Sequence, residues 1–180
     1  MPRKLVLKMS VSVDGFVGRT DGDVEWIFPS VDEELQEWMV DLLGGAGAHL
    51  MGRVTYGDMA GHWPQSQEPY AAPMNDIPKI VFSRTLTEGH WPQTTVLSGD
   101  LAAEVGRLKA EDGADLLAHG GAGFARALIG HDLVDEYRLV VHPVALGSGL
   151  ALFTAARDLT LVGSEPFPGG ALAVTYAPAV

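Results

Sequence analysis

Short apolar runs alternate with amphipathic segments along the chain, an order that predicts strands followed by helices. Residues 5–11 hold mainly leucine, valine and methionine, which predicts a first strand. Residues 33–43 place leucine, methionine and tryptophan at helical spacing, with acidic side chains on the other face. Ser30 or Asp32 stands where this helix begins, and either side chain can accept a hydrogen bond from a free N–H group of the first turn.

The rest of the chain repeats this order. Further strands are predicted at residues 48–51, 79–82, 94–97, 115–118, 137–143 and 172–176, and further helices at 101–109 and 124–129. Strands that alternate with helices build a parallel sheet covered on both faces, so we predict a single three-layer αβα domain over residues 1–180. The late strands have no helices between them, which predicts a mixed, mostly parallel sheet. The uncharged run at 139–156 predicts two strands around a turn.

Charge and composition narrow the classes of function. The 180 residues carry 23 acidic and 12 basic side chains, a net charge of −11, and no cysteine. The acidic balance argues against a nucleic-acid or membrane partner. The lack of cysteine excludes disulfides, zinc–thiolate sites, iron–sulfur clusters and thiol catalysis. The first residues lack the apolar stretch of a signal peptide, so we expect a cytoplasmic protein. The six histidines lack metal-ligand spacing, and we predict no metal.

Three segments place unusual residues at the carboxyl ends of predicted strands, where ligands bind in open α/β sheets. They are Gly52 to Thr55, Ser83 to Thr85, and Gly120 to Gly123. Each segment alone also fits a purely structural turn or a solvated arginine. Together they predict a dinucleotide site, because glycines let the backbone approach phosphates and helix starts offer free N–H groups. Arg53 and Arg84 favour NADPH, whose extra phosphate suits a guanidinium beside a hydroxyl.

An ordered set of motifs resembles a known family. Ser12-Val13-Asp14-Gly15, Asp21-Gly22 and Trp26-Ile27 resemble the opening of the reductase domain of the riboflavin-biosynthesis deaminase/reductase. The cofactor motifs of the dihydrofolate-reductase-like superfamily are similar to Met51-Gly52-Arg53-Val54-Thr55-Tyr56, Phe82-Ser83-Arg84-Thr85 and Gly120-Gly121-Ala122-Gly123. The match continues through Leu133-Val134-Asp135-Glu136, Pro143-Val144-Ala145-Leu146-Gly147 and Leu152-Phe153. The resemblance therefore covers nearly the whole chain.

This resemblance implies a dihydrofolate-reductase-like fold, NADPH as hydride donor and a homodimer. By position, it implies that the cofactor contacts are Gly52, Arg53, Thr55, Ser83, Arg84, Thr85, Gly120, Gly121, Ala122 and Gly123. It also places Val17 and Gly18 in the loop that covers the nicotinamide.

The substrate side departs from the riboflavin reductases. Those enzymes usually carry a lysine after the Asp-Gly pair, where this chain has Phe16. Between Arg19 and Arg53 there are eight acidic residues and no basic one. A phosphorylated substrate would be repelled by such a segment. We therefore expect a small, flat heterocyclic substrate without a phosphate.

Several carboxylates are candidates for a catalytic acid. In dihydrofolate reductases an acid on the first helix binds the substrate ring, and Asp32, Glu33 and Glu34 fall in the corresponding region. Burial of such a carboxyl would raise its pKa toward neutrality. An acid-rich helix start explains these residues equally well, because the helix dipole favours acids there. Asp14 is another candidate, which an Asp-Gly turn also explains.

Four further side chains, three of them aromatic, are candidates for the substrate site. Trp26 and Tyr56, with Met59 and Trp63, could wall a flat ring or simply pack in the core. The leading hypothesis is an NADPH-dependent reductase acting on C=N or C=O. The alternatives are a dihydrofolate or pteridine reductase, and an NADPH-binding protein without turnover. A Rossmann domain ranks lower, because Asp135 precedes the next strand instead of ending it.

Overall fold

The computed structural model describes residues 1–180. Eight strands are present: β1 (Leu5–Ser12), β2 (Ala48–Gly52), β3 (Lys79–Phe82), β4 (Thr94–Leu97), β5 (Leu116–Ala118), β6 (Glu136–His142), β7 (Leu159–Pro166) and β8 (Leu172–Pro178). The α-helices are α1 (Glu33–Gly44), α2 (Arg53–His62), α3 (Ala71–Asp76), α4 (Leu101–Ala110) and α5 (Ala122–Gly130). Short 3-10 helices lie at Glu25–Ser30 and Trp63–Gln65. None of the helices combines the length and the apolar character that a membrane crossing requires.

All eight strands belong to one sheet, in the order β4-β3-β2-β5-β1-β6-β8-β7. The strands from β4 to β6 run parallel, whereas β8 pairs antiparallel with both β6 and β7. The predicted mixed, mostly parallel sheet is confirmed. The carboxyl ends of β2, β3 and β5 lie along the same edge, so the three predicted motifs face one side of the molecule.

Helices cover both faces of the sheet, but the two faces are built differently. The face under α4 and α5 is one apolar cluster of 19 buried residues, which includes Leu7, Leu50 and Leu128. The face under α1, α2 and α3 has two smaller clusters, of 8 and 6 residues. Met51 belongs to the first of these, and Leu35 belongs to the second. Because neighbouring residues of a strand point to opposite faces, the same strands build both layers.

Three segments differ from the prediction. The run at 139–156 contains one strand rather than two, because after His142 the chain forms a loop whose only ladder contact is a bridge between Ala151 and Phe16. β7 was not predicted, since most of its side chains are exposed and give no alternation of buried and polar positions. α3 escaped prediction because six residues containing Pro73 are too few to show helical spacing. Of the two predicted caps of α1, Asp32 is the one present, and the helix begins at Glu33.

Candidate functional site

The helices differ in how their first turns are capped. Asp32 caps α1 by accepting from the backbone N–H of Leu35, and Asp100 caps α4 by accepting from Ala103. The helices α2 and α5 follow Gly52 and the glycines at 120 and 121, and neither has a side-chain cap. Free N–H groups at a helix start attract anions, and the helix dipole adds to that attraction. The short helix α3 also lacks a side-chain cap, but α2 and α5 are the uncapped helices that begin at the predicted cofactor motifs.

A hydrogen bond joins these two motifs. The hydroxyl of Thr55 donates to the backbone oxygen of Gly120 at 2.6 Å, which links the start of α2 to the turn after β5. A side chain at Gly121 would place its Cβ 3.2 Å from the Thr55 oxygen. A Cβ at Gly120 would lie 2.6 Å from the thioether of Met9. The glycines therefore allow this close approach of two loops, which brings both helix starts to one place.

The third motif borders a cavity of about 210 Å³ beyond the ends of β3 and β4. Its walls are Phe82, Ser83, Arg84, Leu97, Ser98, Gly99, Leu101 and Phe124. The Ser83 hydroxyl accepts from the N–H groups of Thr85 and Leu86, and so shapes the turn that carries Arg84. Phe82 and Phe124 stack with ring centroids 5.5 Å apart. The cavity thus combines an apolar wall with a hydroxyl and an exposed guanidinium.

Most of the 12 basic side chains pair with carboxylates. The paired ones are Arg3, Lys4, Arg19, Arg107, Lys109, Arg138 and Arg157. Lys79 and Arg126 instead donate to backbone oxygens. The side chains of Arg53, Arg84 and Lys8 form no hydrogen bond and no ion pair within the protein. In a chain with almost twice as many acids as bases, these three cations stand out as groups free to meet a ligand.

The loop at residues 12–18 is held by a second loop. The N–H of Val17 donates to Leu150 at 2.8 Å, and the N–H of Leu150 returns a bond of 2.8 Å to Gly18. Val17 is buried in the large apolar cluster. Gly149 has a φ of 155°, and a Cβ there would lie 2.3 Å from the Gly18 oxygen. The backbone predicted to cover the nicotinamide is therefore anchored, although its contact with a cofactor stays a prediction.

Asp14 acts as an anchor for the same pair of loops. Its carboxylate accepts from the Ser12 hydroxyl at 2.6 Å and from the N–H groups of Leu146 at 3.0 Å and Gly147 at 2.7 Å. The hydrogen bond from Ser12, followed by that from Gly147, lowers the pKa of Asp14 to about 2. At neutral pH this group is ionised and holds no proton to donate. Its contacts explain the residue without a role in proton transfer.

The acids at the start of α1 are placed differently from the expected buried acid. Asp32 uses one oxygen to cap α1 and the other to accept from the backbone N–H of Gly169. Glu33 and Glu34 are exposed. The catalytic acid was expected to be buried, and neither of these two residues is buried. These acids therefore fit the alternative explanation, in which acidic side chains stand at the start of a helix because the helix dipole favours them there.

The two candidate aromatic residues are both buried. The Tyr56 hydroxyl accepts from the backbone N–H of Trp91 at 3.0 Å, within the cluster of eight residues. Trp26 lies edge-on to His142, with ring centroids 5.8 Å apart, and donates from its indole nitrogen to Asp23. Tyr56 is thus occupied by the core, whereas Trp26 borders a polar part of the sheet.

That part is a band of polar side chains on the face under α1, which we call the polar band: Lys8, Ser10, His49, Lys79, His119 and His142. His119 donates to His49 at 2.8 Å, and His49 donates to the Pro73 oxygen at 3.1 Å. The Ser30 hydroxyl bonds the ring nitrogen Nδ1 of His142 at 2.7 Å. Burial lowers the pKa of His49 and of His142 to about 4, and it also holds the pKa of His119 well below its usual value. These histidines are neutral at physiological pH.

Comparison with known proteins places the chain in a family. The model of the RibD C-terminal domain matches residues 3–173. The chain belongs to the RibD C-terminal domain family. It is 30% identical to the uncharacterized protein YyaP of Bacillus subtilis (strain 168), over 97% of this chain and 94% of YyaP. The uncharacterized protein YwjB of the same organism is also 30% identical, over 98% of each chain.

Solved structures share the fold of this RibD C-terminal domain. A protein of Shewanella sp. PV-4, assigned provisionally to riboflavin biosynthesis, has a TM-score of 0.79 at 22% identity over 100% of both chains. The diaminohydroxyphosphoribosylaminopyrimidine deaminase/5-amino-6-(5-phosphoribosylamino)uracil reductase of Thermotoga maritima has a TM-score of 0.69 at 18% identity, over 99% of this chain and 57% of that one. The predicted dihydrofolate-reductase-like fold is therefore confirmed, and a Rossmann domain is excluded.

The sequence prediction for this RibD C-terminal domain missed the polar band. One signal was present, since Lys8 interrupts an otherwise apolar strand at a position whose neighbours Val6 and Ser10 share its face. A lysine in the middle of a central strand is rare unless it has a partner or a ligand. The pairing of His49 with His119 had no signal, because the two residues are 70 positions apart.

Proposed function

We propose that the protein is an NADPH-dependent reductase that transfers hydride to a small heterocyclic substrate. The observation that carries the proposal is the meeting of the cofactor motifs at one sheet edge. There the bond between Thr55 and Gly120 joins two uncapped helix starts, with Arg53 and Arg84 lacking any carboxylate partner. Family membership supports a reductase, because the RibD C-terminal domain is the reductase part of riboflavin-biosynthesis enzymes.

The residues at this edge fit the parts of NADPH. The free N–H groups at the starts of α2 and α5 would hold the pyrophosphate. Arg84 and the Ser83 hydroxyl would hold the additional phosphate that distinguishes NADPH from NADH, since a guanidinium binds phosphate with paired donors. The apolar wall of Phe82 and Phe124 in the neighbouring cavity would accept the adenine ring.

When bound, NADPH supplies the hydride, and the protein supplies binding and orientation. The loop containing Val17 and Gly18 is fixed by its paired bonds with Leu150, which suits a segment that must exclude water from one side of a ring. No carboxyl at the start of α1 is buried for use as a proton donor.

The charge distribution supports a substrate without a phosphate. The Thermotoga maritima protein is named for an activity on a phosphoribosylamino uracil. In the present chain the segment between Arg19 and Arg53 has eight acidic residues and no basic one. Glu33, Glu34 and Glu37 are exposed on α1, where a phosphate would meet them without compensation. We therefore propose an unphosphorylated ring as substrate.

Cofactor preference tests this proposal. NADPH should bind the protein at least about tenfold more tightly than NADH, as measured by titration calorimetry or by quenching of tryptophan fluorescence. The substitution Arg84→Glu should weaken NADPH binding by at least about tenfold and change NADH binding little, because Arg84 meets only the extra phosphate. Arg107→Glu makes the same charge change on exposed α4 and should leave both affinities unaltered. Equal binding of the two cofactors to the unaltered protein would contradict the proposal.

A further inference from the structure

The helix layer under α1 leaves a gap above the centre of the sheet. Leu43 of α1 and Val6 belong to the cluster of eight residues, whereas Leu35 and Val140 belong to the cluster of six. Between these clusters, Lys8 and Ser10 remain partly accessible to solvent. Their strand β1 lies between β5 and β6, so its side chains can be reached only through a sheet face. An opening in the helix layer therefore leads to Lys8.

Lys8 is a cation without a partner in this gap. Its neighbour across the ladder is Arg138 of β6, a second cation. The carboxylate of Glu136 is already shared by Arg138 and Lys4. Burial lowers the pKa of Lys8, and its charge in turn contributes to lowering the pKa of His49, His119 and His142. A partly desolvated ammonium group with no counter-charge is costly to retain unless a ligand supplies that charge.

The hydrogen bonds of His49 and His119 determine which of their ring nitrogens carry protons at the floor of the gap. The Pro73 oxygen can only accept, so the nitrogen Nε2 of His49 carries the proton. Nδ1 of neutral His49 then accepts from the protonated Nε2 of His119. This leaves Nδ1 of His119 with a lone pair and no partner. Two side-chain polar atoms are fully buried without a hydrogen-bond partner, Thr94 Oγ1 and His142 Nε2. Nδ1 of His119 is not among them, so this atom retains contact with solvent.

Lys8 and His119 lie at the same level of the sheet. Leu7 pairs with Ala118, and the next residues of both strands, Lys8 and His119, point to the face under α1. This level is the carboxyl end of the short strand β5, beside the predicted cofactor turn at Gly120. A donor cation and a lone-pair acceptor are thus presented together next to the proposed hydride donor.

We propose that Lys8 is the anion-binding group of the substrate site, and that the substrate is a flat heterocycle carrying a negatively charged ring oxygen. This inference rests on the proposed function, since it names the substrate class of the same reductase. The negative oxygen would meet the Lys8 ammonium, and a ring N–H beside it would donate to Nδ1 of His119. Trp26, which packs on His142, would border the ring.

The acidic surface does not conflict with an anionic ring. Asp32 is occupied by the cap of α1 and by Gly169, and Glu33 and Glu34 point to solvent. Exposed charges are screened over about 10 Å at ordinary ionic strength, whereas Lys8 acts at contact in a partly desolvated gap. The same charges repel a phosphate placed at the outer rim and tolerate a ring anion seated against the sheet.

Two ring compounds of nearly equal shape but different charge test whether the site recognises a negative charge. Barbiturate is an anion at neutral pH, and uracil is a neutral ring of the same size. Titration calorimetry on the full chain, with and without NADP⁺, should show barbiturate binding at least about tenfold more tightly than uracil. In Lys8→Met, barbiturate binding should fall by at least about tenfold, and uracil binding should change by less than about threefold. Lys8→Arg, which keeps the charge, should retain the preference for barbiturate.

A control variant and a melting measurement test whether the effect of Lys8→Met is specific. Lys4→Met removes an exposed lysine near the start of β1 and should leave both probe affinities unchanged. Lys8→Met should melt a few degrees higher than the unaltered protein, because an apolar side chain replaces an unpaired, desolvated ammonium. Failure of the unaltered protein to bind barbiturate, or equal binding of barbiturate by Lys8→Met, overturns the proposal. NADPH titration of the same samples reports separately on the reductase, so either idea can fail alone.

Titration of Lys8 itself gives a second readout. In protein whose lysines carry ¹³C-methyl labels, the signal absent from Lys8→Arg identifies Lys8. Its pKa should be below that of exposed lysines and should rise when barbiturate binds, because the anion stabilises the ammonium form. Barbiturate affinity should fall as pH rises through the pKa of Lys8. His49, His119 and His142 do not titrate in that range, because burial lowers the pKa of each. A Lys8 pKa that is the same with and without barbiturate contradicts the proposal.

Discussion

The two faces of the sheet are made by the same strands and serve different ends. On β1, Leu7 enters the continuous cluster of 19 residues, and its neighbour Lys8 enters the gap on the opposite face. On β2, Leu50 and His49 divide in the same way. Polar groups in a buried layer cost stability, so natural proteins keep them where a ligand is handled. The face under α4 and α5 therefore carries most of the stability, and the face under α1 carries the polar groups proposed to meet the substrate.

The largest expected effect comes from truncating each apolar layer. Leu128→Ala, in the cluster of 19, should lower the free energy of unfolding by about 4 kcal/mol, because rigid neighbours surround the cavity on all sides. Leu35→Ala removes an equally buried leucine from the cluster of six and should cost about 3 kcal/mol, since a layer beside a gap can relax. Urea unfolding at neutral pH measures both. A larger loss of stability for Leu35→Ala than for Leu128→Ala would contradict the proposed difference between the two faces.

Acid should destabilise the protein through the polar band. The pKa of buried His49 is lowered to about 4, so between the unfolded value of about 6.5 and pH 4 the unfolded chain binds more protons than the folded one. This contribution to stability is complete above about pH 6.5 and is lost as the pH falls toward 4, with His49 contributing about 3 kcal/mol.

Substitution separates this histidine from general acid effects. His49→Gln keeps an amide donor for the Pro73 oxygen but cannot titrate, so its free energy of unfolding should fall less steeply between neutral pH and pH 4. His131→Gln removes an exposed histidine from the C-terminus of α5 and should keep the slope of the unaltered protein. Identical slopes for all three proteins would show that the band does not couple folding to protons.

The contrast between the faces also explains what the sequence could predict. Leu35, Met39 and Leu43 recur at helical spacing, and local spacing alone is enough to place α1. The glycine and arginine motifs at strand ends were predictable because parallel strands bring their carboxyl ends to one edge. Their contacts with a cofactor stay predictions. β7 gave no signal, because an exposed edge strand needs no buried face.

The polar band depends on pairings that no local pattern contains. His49 meets His119 only because β2 and β5 are neighbours, an order fixed by the whole sheet. The roles of acids were equally invisible, since Asp14 and Asp32 each hold a loop more than 130 residues away. A carboxylate that ties distant backbone together and one that binds a substrate look the same in a sequence. Only the partners distinguish them.

The smallest effect compares two helix caps, one for each face. Asp32 and Asp100 cap α1 and α4 in the same way, but Asp32 also accepts from Gly169. Asp100→Ala should lower the free energy of unfolding by about 1 kcal/mol, the usual value of a cap. Asp32→Ala should cost about 1 kcal/mol more, because the N–H of Gly169 loses a charged acceptor. Urea unfolding of the two variants measures the difference.

Activity in the same variants tests the role of Asp32. Because both of its oxygens are occupied by backbone N–H groups, Asp32→Asn, which keeps one acceptor oxygen, should retain NADPH binding and any hydride transfer to within about tenfold. A loss of several orders of magnitude in a folded Asp32→Asn protein would make Asp32 a catalytic acid. In that case the carboxylates of α1, and not Lys8 on the sheet, would set the chemistry of this face.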